Sequence, residues 1–432
     1  MVDNLKDKKV LVVDTGVFTF VAERLARDFG KVFYWVPNYS SFPDVKKSMI
    51  GEGLSGITVI DQMFYKCPDK GYDFNEVDLF VFPDVYMGDL QEHLISLGKR
   101  VWGSRDGEKL ELLRIETREQ VFKKIGLPVS EAEYFTNFDD VVDHIKNGNS
   151  DLYLKVSWWR GLFETHHIES HKKSEDFLLK VASDLGVARK LDGKVDYILE
   201  SPIKSKVECG VDAFVVDGEY ASQMGMGFEI KDKAYITTHV SYDKLHESMK
   251  ESMDKLKPVF SDYGYRGWFA TEVRMGEDGN NYLIDCTCRC GSPNSEIQCE
   301  WVENLAEIIW YGSKGIVTEP KYRSKYAMQV AVFTNSSELV WNPIYFEDET
   351  IRKIVKLKMR CRVNGLDYVI PGTGPTDPVG FMIVLGDTVE ECISKIKENS
   401  GLVKGYCVGS NIDSVDEILE VVENARKNGI EF

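Results

Sequence analysis

The sequence predicts a multidomain protein of mixed α/β and α+β class, and three observations carry that prediction. Its 432 residues exceed what one core organises, because domains typically run ~100 to 200 residues, so two to four units are expected. Short β-forming runs alternate with amphipathic segments as far as Trp102, the pattern of a small parallel sheet with covering helices. Further on, strand pairs with turn chemistry take over, and from Ala327 strands and helices follow one another to the end of the chain.

Composition narrows the class. Hydrophobic residues make up 43% and charged residues 28%, as in a soluble globular protein. No apolar run approaches the ~18 residues of a membrane span, and the N-terminus, MVDNLKDKK, is too polar for a signal peptide, so a cytoplasmic protein without a membrane partner is expected. Nine scattered cysteines, an odd number, are not a disulfide framework. A net charge of −17 excludes the clustered Lys and Arg of a nucleic-acid footprint.

In chain order, Lys9 to Asp14 is a β run that turns through Thr15-Gly16 into an amphipathic segment, Val17 to Phe29. The glycine pattern lacks G-x-G-x-x-G, so a tight turn into a helix is expected there rather than a dinucleotide site. Lys31 to Val36, Val77 to Phe82 and Arg100 to Trp102 supply further strands. From Gly103 the character changes: a charged helix is expected from about Glu108 to Lys124, stopped by Gly126 and Pro128. Glu133 to Thr136 reads as extended, Asp139 to Lys146 as a helix, and Asp151 to Val156 as a strand containing one lysine, Lys155. Lys155 either points to solvent or serves a site; the SWWRGLFET that follows, with Gly161, is either an ordinary turn or a loop whose backbone approaches phosphates. Val195 to Glu200 and Cys209 to Val216 form a strand-loop-strand bracketed by Glu200 and Glu208, where a carboxylate can accept both ribose hydroxyls and extended backbone can pair with an adenine edge.

The most informative stretch is Tyr265 to Gln298. Trp268 to Met275 and Tyr282 to Ile284 flank the turn residues Glu277-Asp278-Gly279-Asn280, which predicts a hairpin. Glu272 in the first strand and Asp285 at the end of the second are carboxylates at otherwise apolar places. Such a pair repels unless a cation lies between, and Mg²⁺ with nucleotide phosphates is the usual one. The plainer alternative is two solvated side chains on an edge hairpin. Arg289, four residues on, suits an anionic substrate or the charge of a phosphoryl transition state. Cys286, Cys288 and Cys290 lack zinc-site spacing and read as reduced, packed thiols. Helical spacing follows from Glu296 to Tyr311, then a linker from Lys314 to Lys325. Ala327 to Thr334, Ile351 to Arg362 and Val379 to Leu385 read as strands, and Thr388 to Asn399 and Ser414 to Lys427 as helices.

In this order, the basic helix, strand lysine, Gly loop, Glu-bracketed hinge and paired carboxylates ending in a basic residue resemble the ATP-grasp superfamily. Within it, DCTCRCGSPNSEIQ is most similar to the acidic-x-x-x-Arg-x-Gly-x-Pro-Glu-Thr-Gln run of phosphoribosylamine–glycine ligases. The resemblance covers about Gly103 to Gly315. It implies an ATP-grasp fold with an N-terminal Rossmann-like domain (1–104), an ATP-grasp domain (105–317, subdomains about 105–197 and 198–317) and a small C-terminal α+β domain (318–432).

It further implies ATP and Mg²⁺, with Mn²⁺ as a possible substitute, and small-molecule carboxylate and amine substrates joined through an acyl phosphate, as in purine biosynthesis; it leaves the oligomeric state open. Arg114 or Arg118 would contact ATP phosphate and Lys155 the nucleotide, with Gly161 in the phosphate loop. Glu200 with Ser201 to Ile203 would be the adenine hinge and Glu208 the ribose carboxylate. Glu272, Asp285 and Thr287 would hold the metal, Arg289 would face the acyl phosphate, and Ser292 and Asn294 would line the substrate site. Asp285 and Thr287 depart from the family's Glu and Asn, and Ser222 to Val240 lacks the family's long Gly-rich segment. The alternatives are a ligase for another amino acid or metabolite and a non-catalytic ATP-binding module.

Overall fold

The structure, a computed structural model, describes residues 3–37, 49–148, 151–158, 165–188, 195–334, 341–369 and 378–432. The chain divides into two units: Met1–Glu108, Cys209–Glu272 and Thr287–Phe432 make one, and Lys109–Glu208 with Val273–Cys286 the other.

The first unit begins with a five-stranded parallel sheet in the order Ile57–Val59, Lys31–Trp35, Lys9–Val13, Leu79–Val81, Val101–Trp102. Lys9–Val13 lies at its centre, and the two-residue period of a strand sends its side chains into two cores. Val10 and Val12 pack with the Thr19–Ala26 helix, Trp102, Trp268 and Trp310, whereas Leu11 and Val13 pack with Phe33, Phe80, Phe82 and Leu94. After the central strand the chain turns as expected: the Phe18 N–H donates to Asp14 Oδ2 at 2.8 Å, and Tyr34 donates its hydroxyl to the same oxygen at 2.6 Å.

A large sheet follows in the order Asn281–Thr287, Arg266–Gly276, Ser205–Val216, Gln223–Ile230, Ala234–Ser241, Tyr326–Thr334, Pro378–Gly386, Val355–Leu357. The expected hairpin is therefore present, with its turn at the predicted residues. Strands from beyond residue 318 join this sheet directly, Ala234 pairing with Val330 and Tyr326 with Gly386. In the second unit a four-stranded antiparallel sheet runs Thr165–Ile168, Leu152–Val156, Tyr197–Glu200, Ala132–Phe135. Its core takes Leu154, Val156, Tyr197 and Leu199 from the sheet and Phe138, Val141 and Ile145 from the Phe138–Asn147 helix. That helix starts where Asn137 caps the Asp139 N–H, with Asp139 and Asp140 at its positive end.

Three expected elements differ. The helix from Glu108 to Lys124 is broken into a 3₁₀ turn (Arg105–Glu108), two short α segments (Lys109–Leu112 and Arg114–Glu116) and a π-helical turn (Thr117–Phe122). The interruptions accompany the burial of two guanidinium groups that need carboxylate partners, described below. The single helix from Glu296 to Tyr311 is two, Ser295–Trp301 and Leu305–Gly312. Between them the carbonyls of Val302 and Glu303 accept from the buried Arg24 guanidinium at 3.4 and 2.7 Å, a partner that a buried charge cannot forgo. Finally, Ile351 to Arg362 is not one strand: Asp348 caps the Thr350 and Ile351 N–H groups and starts a helix, Glu349–Ile354, before the strands Val355–Leu357 and Arg360–Val363. Among the described residues, no helix is long and apolar enough to cross a membrane.

Glu108 gives this unit a pH dependence. Its carboxyl accepts the Met87 N–H at 3.0 Å at the start of the Gly88–Ser96 helix, yet burial outweighs the backbone donors and pushes its pKa from 4.5 up to about 7. A carboxyl whose pKa is raised on folding contributes stability that is complete below the unfolded value and is lost as pH rises through the folded one. Between about pH 4.5 and pH 7 the first unit therefore loses roughly 3 kcal/mol from this group. Denaturant unfolding followed from pH 5 to 8 should show this decline, and Glu108→Gln should flatten its share of it.

Candidate functional site

Sheet register creates the centre of the second unit. Lys155 pairs with Ile198 and Tyr153 with Glu200 on adjacent antiparallel strands, so Lys155 and Glu200 are diagonal neighbours on one face. Both are buried, and Lys155 Nζ lies 3.3 Å from Glu200 Oε2 and 3.4 Å from the Ile284 carbonyl. Lys155 therefore does not point to solvent. The other Glu200 oxygen accepts from Arg118 Nη1 at 2.6 Å, and Arg118 also donates to the Ser130 carbonyl at 2.6 Å. Arg114, on the preceding helical turn, places Nη1 3.7 Å from Asp285 Oδ1. Among the described residues, Lys155, Arg118 and Arg114 thus gather around Glu200 and Asp285 in a place largely removed from water.

The hinge residues leave the sheet beside this cluster. The Ser201 N–H is held by the Glu131 carbonyl at 2.9 Å, and Ile203 is half-buried. Glu208 is paired with Arg274 at 2.5 Å, and the Arg274 guanidinium lies 6.0 Å from the Tyr153 ring centre. Gly161 and the loop from residue 159 to 164 lie outside the described residues; Trp158, just before them, donates its N–H to the Leu112 carbonyl at 2.9 Å.

In the first unit, Glu272 is half-buried with Lys231 3.8 Å away. From Asp285 to Cys290 burial alternates: Cys286, Cys288 and Cys290 are buried, and Asp285, Thr287 and Arg289 between them are half-buried, as an extended chain requires. The thiols face packed interior, and burial drives the Cys290 pKa well up, the opposite of what a metal-bound thiolate needs. Among the described residues no group of three or more His, Cys, Asp or Glu is placed to hold a metal. Glu272 and Thr287 in the first unit and Asp285 in the second each offer oxygen, the donor type that suits Mg²⁺.

Arg289 donates to the Cys290 carbonyl at 3.1 Å, with Nε 3.9 Å from the buried Asp84, which follows a strand of the parallel sheet. Ser292 donates to Glu296 Oε1 at 2.6 Å, and Asn294 donates to Asp212. Asp212, which the sequence reading passed over, also accepts from Tyr235 at 2.7 Å. The Tyr235 ring crosses Gly227, where a Cβ would lie 2.3 Å from the hydroxyl, so only glycine admits this contact. Burial pushes the Asp212 carboxyl up to about 7 against the two donors that pull it down. A lone acid inside the apolar run from Cys209 to Val216 was the available signal.

The Glu200 cluster sets a stability test. Arg118→Leu leaves Glu200 with the more distant Lys155 alone and should cost about 3 kcal/mol in urea unfolding, the scale of a broken buried pair. Lys155→Leu keeps the shorter Arg118 contact and should cost clearly less. Equal losses would mean that Lys155 carries as much of the Glu200 charge as Arg118.

No family profile matches the chain, and no curated protein matches it either. Solved structures do. A phosphoribosylamine–glycine ligase from Thermotoga maritima is 15% identical with a TM-score of 0.64, covering 93% of this chain and 98% of its own. An L-amino acid ligase from Bacillus licheniformis is 16% identical with a TM-score of 0.62, covering 93% and 99%. The biotin carboxylase domain of Hydrogenobacter thermophilus 2-oxoglutarate carboxylase, solved with MgADP and bicarbonate, is 12% identical with a TM-score of 0.61, covering 95% and 94%. Likeness over nearly the whole of each chain establishes the fold.

Proposed function

From the ATP-grasp fold that the chain shares with these structures, we propose that it is an ATP-dependent carboxylate–amine ligase. The observation that carries this reading is the gathering of Lys155, Arg114 and Arg118 in one largely buried place, side chains whose charge suits the polyanionic tail of a nucleotide. Arg118 already has its guanidinium committed to Glu200 and Ser130. We assign Arg118 the positioning role and Arg114, which lies beside Asp285, the phosphate contact. Pro202 has no N–H to give, so the Ser201 carbonyl and the Ile203 backbone are the groups for an adenine edge. Glu208 would take the ribose hydroxyls, exchanging Arg274 for them, and the loop that includes Gly161 would cover the phosphates.

Glu272, Asp285 and Thr287 would hold Mg²⁺, which when bound neutralises charge on the transferring phosphoryl group. Lys155 and Arg114 orient the phosphates. A carboxylate oxygen of the first substrate attacks the γ-phosphorus, and the bond to the ADP oxygen breaks. Arg289 steadies the acyl phosphate with its two-pronged donor set. The amine nitrogen of the second substrate then attacks the acyl carbon, phosphate departs with the C–O bond electrons, and the nitrogen loses a proton. Ser292 and Asn294 lie in the same segment as Arg289 and serve substrate positioning. The leading substrates are glycine and phosphoribosylamine.

The decisive experiment follows oxygen. With ¹⁸O in the carboxylate substrate, the label should pass to released phosphate; label arriving only from water would make the protein an ATPase or a nucleotide sensor. Lys155→Ala should weaken ATP binding in calorimetry by about tenfold or more, the loss of one charge-assisted contact. Glu272→Gln and Asp285→Asn should each reduce Mg²⁺-dependent turnover more than stability, and normal metal dependence in both would remove them from the site.

A further inference from the structure

Asp212 lines a small cleft in the first unit whose space of about 10 Å³ admits one water-sized group. Phe214, Trp301 and Tyr322 form its aromatic walls, and Gln298 and Gly225 complete the lining used here. We infer that this cleft receives a primary ammonium group, carried by a small organic amine, between the Asp212 carboxylate, the Gln298 amide oxygen and the rings of Trp301 and Tyr322.

Four features point to that guest. First, the cleft is lined by acceptors with capacity left: among the described residues, Asp212 Oδ1 takes one donor from Asn294 and Oδ2 one from Tyr235, and Gln298 Oε1, on a residue only 6% exposed, has no hydrogen-bond partner. A buried acceptor left empty costs free energy that a ligand N–H would recover. Second, the lining contains no Lys, Arg or His. The nearby His239 stacks on Tyr322 with ring centres 5.0 Å apart, and burial lowers its pKa, so it does not supply the missing charge. Third, the raised Asp212 pKa is that of a buried carboxylate without a counter-ion. Fourth, the Trp301 and Tyr322 rings, 4.2 Å apart between centres, give π-faces that favour a desolvated cation.

Asn294, which fixes Asp212, lies five residues beyond Arg289. On the ligase reading, on which this part of the assignment rests, the cleft is the seat of the amine substrate, and Asp212 is the group that takes the proton an ammonium must lose before nitrogen can attack.

Gly225 supplies a test that leaves every charge in place. A Cβ there would lie 3.2 Å from both Asp212 Cβ and Thr237 Oγ1, and the backbone has no left-handed strain to complicate the change. Methylammonium chloride and glycinamide hydrochloride, titrated at about pH 8 against the full chain with sodium chloride as control, should bind saturably, read by calorimetry and Trp301-dependent fluorescence. Asp212→Asn and Gly225→Ala should each weaken that binding by about tenfold or more while ATP affinity stays unchanged. Absence of saturable binding to the unaltered chain, or equal binding in both folded variants, would overturn the inference. Ammonium binding that responds to both variants, with no carboxylate–amine pair stimulating ADP release, would keep the cation site and sink the ligase reading. Amine-stimulated turnover whose amine KM is the same in both variants would do the reverse.

Discussion

A carboxylate withdrawn from water must be met by cations, by donors or by a proton, and this protein is organised around how each of its buried acids meets that demand. Glu200 is met twice, by Arg118 and by Lys155. Glu300 shows how strong the response is: burial raises its pKa, but Arg27 and Lys356 prevail and hold it at about 2. Asp212 is more deeply buried and has only neutral donors, Tyr235 and Asn294, so its pKa goes to about 7 instead. The two differ both in depth and in the presence of a cation, and both differences act in the same direction. Where the chain brings its own cations, as at Glu200 and Glu300, it has built a brace; where it brings none, as at Asp212, it has left a charge for a ligand to complete.

The same demand explains where secondary structure departs from local preference. A pattern with helical spacing from Glu296 to Tyr311 is interrupted because Arg24, 278 residues away in sequence, takes the carbonyl of Val302. The π-helical turn at Thr117–Phe122 belongs to the segment that aims Arg114 and Arg118 at two different carboxylates. Insertions of this kind are common at sites that bind something.

Sequence patterning was legible in several places where the cause was local. The hairpin around Glu277-Asp278-Gly279-Asn280, the turn at Asp14-Thr15-Gly16 and the parallel alternation before Trp102 follow from residue type and period alone. Lys155 could be singled out as a lysine among apolar neighbours, but whether it faced solvent could not, because the answer lies in its register against Ile198 and Glu200. Asp212 was missed for a related reason. Its partners, Tyr235 and Asn294, stand 23 and 82 residues further along, and nothing near Asp212 in sequence hints at either. Asp348 was a different kind of omission, a local cap signal outweighed by the β-branched residues after it.

These two kinds of legibility have a common root. Periodicity reports which face of an element is dry, and that is enough to recover many of the strands, though not the pair Gln223–Ile230 and Ala234–Ser241 in the large sheet. It does not report how the polar groups on a dry face are satisfied, because satisfaction is a pairing between segments that meet only after folding. In the strand Ser205–Val216, Val211, Asp212 and Ala213 are all buried, so patterning treats the three alike. Chemistry does not. The acid alone requires Gly227 to let the Tyr235 hydroxyl through, Asn294 to turn inward, and Gly225 to leave space beside it. Three residues on two other segments are thus constrained by one carboxylate. That is a large structural commitment for a group which the core would accommodate more easily as a valine, and it is the reason to assign Asp212 a task rather than a place in the packing.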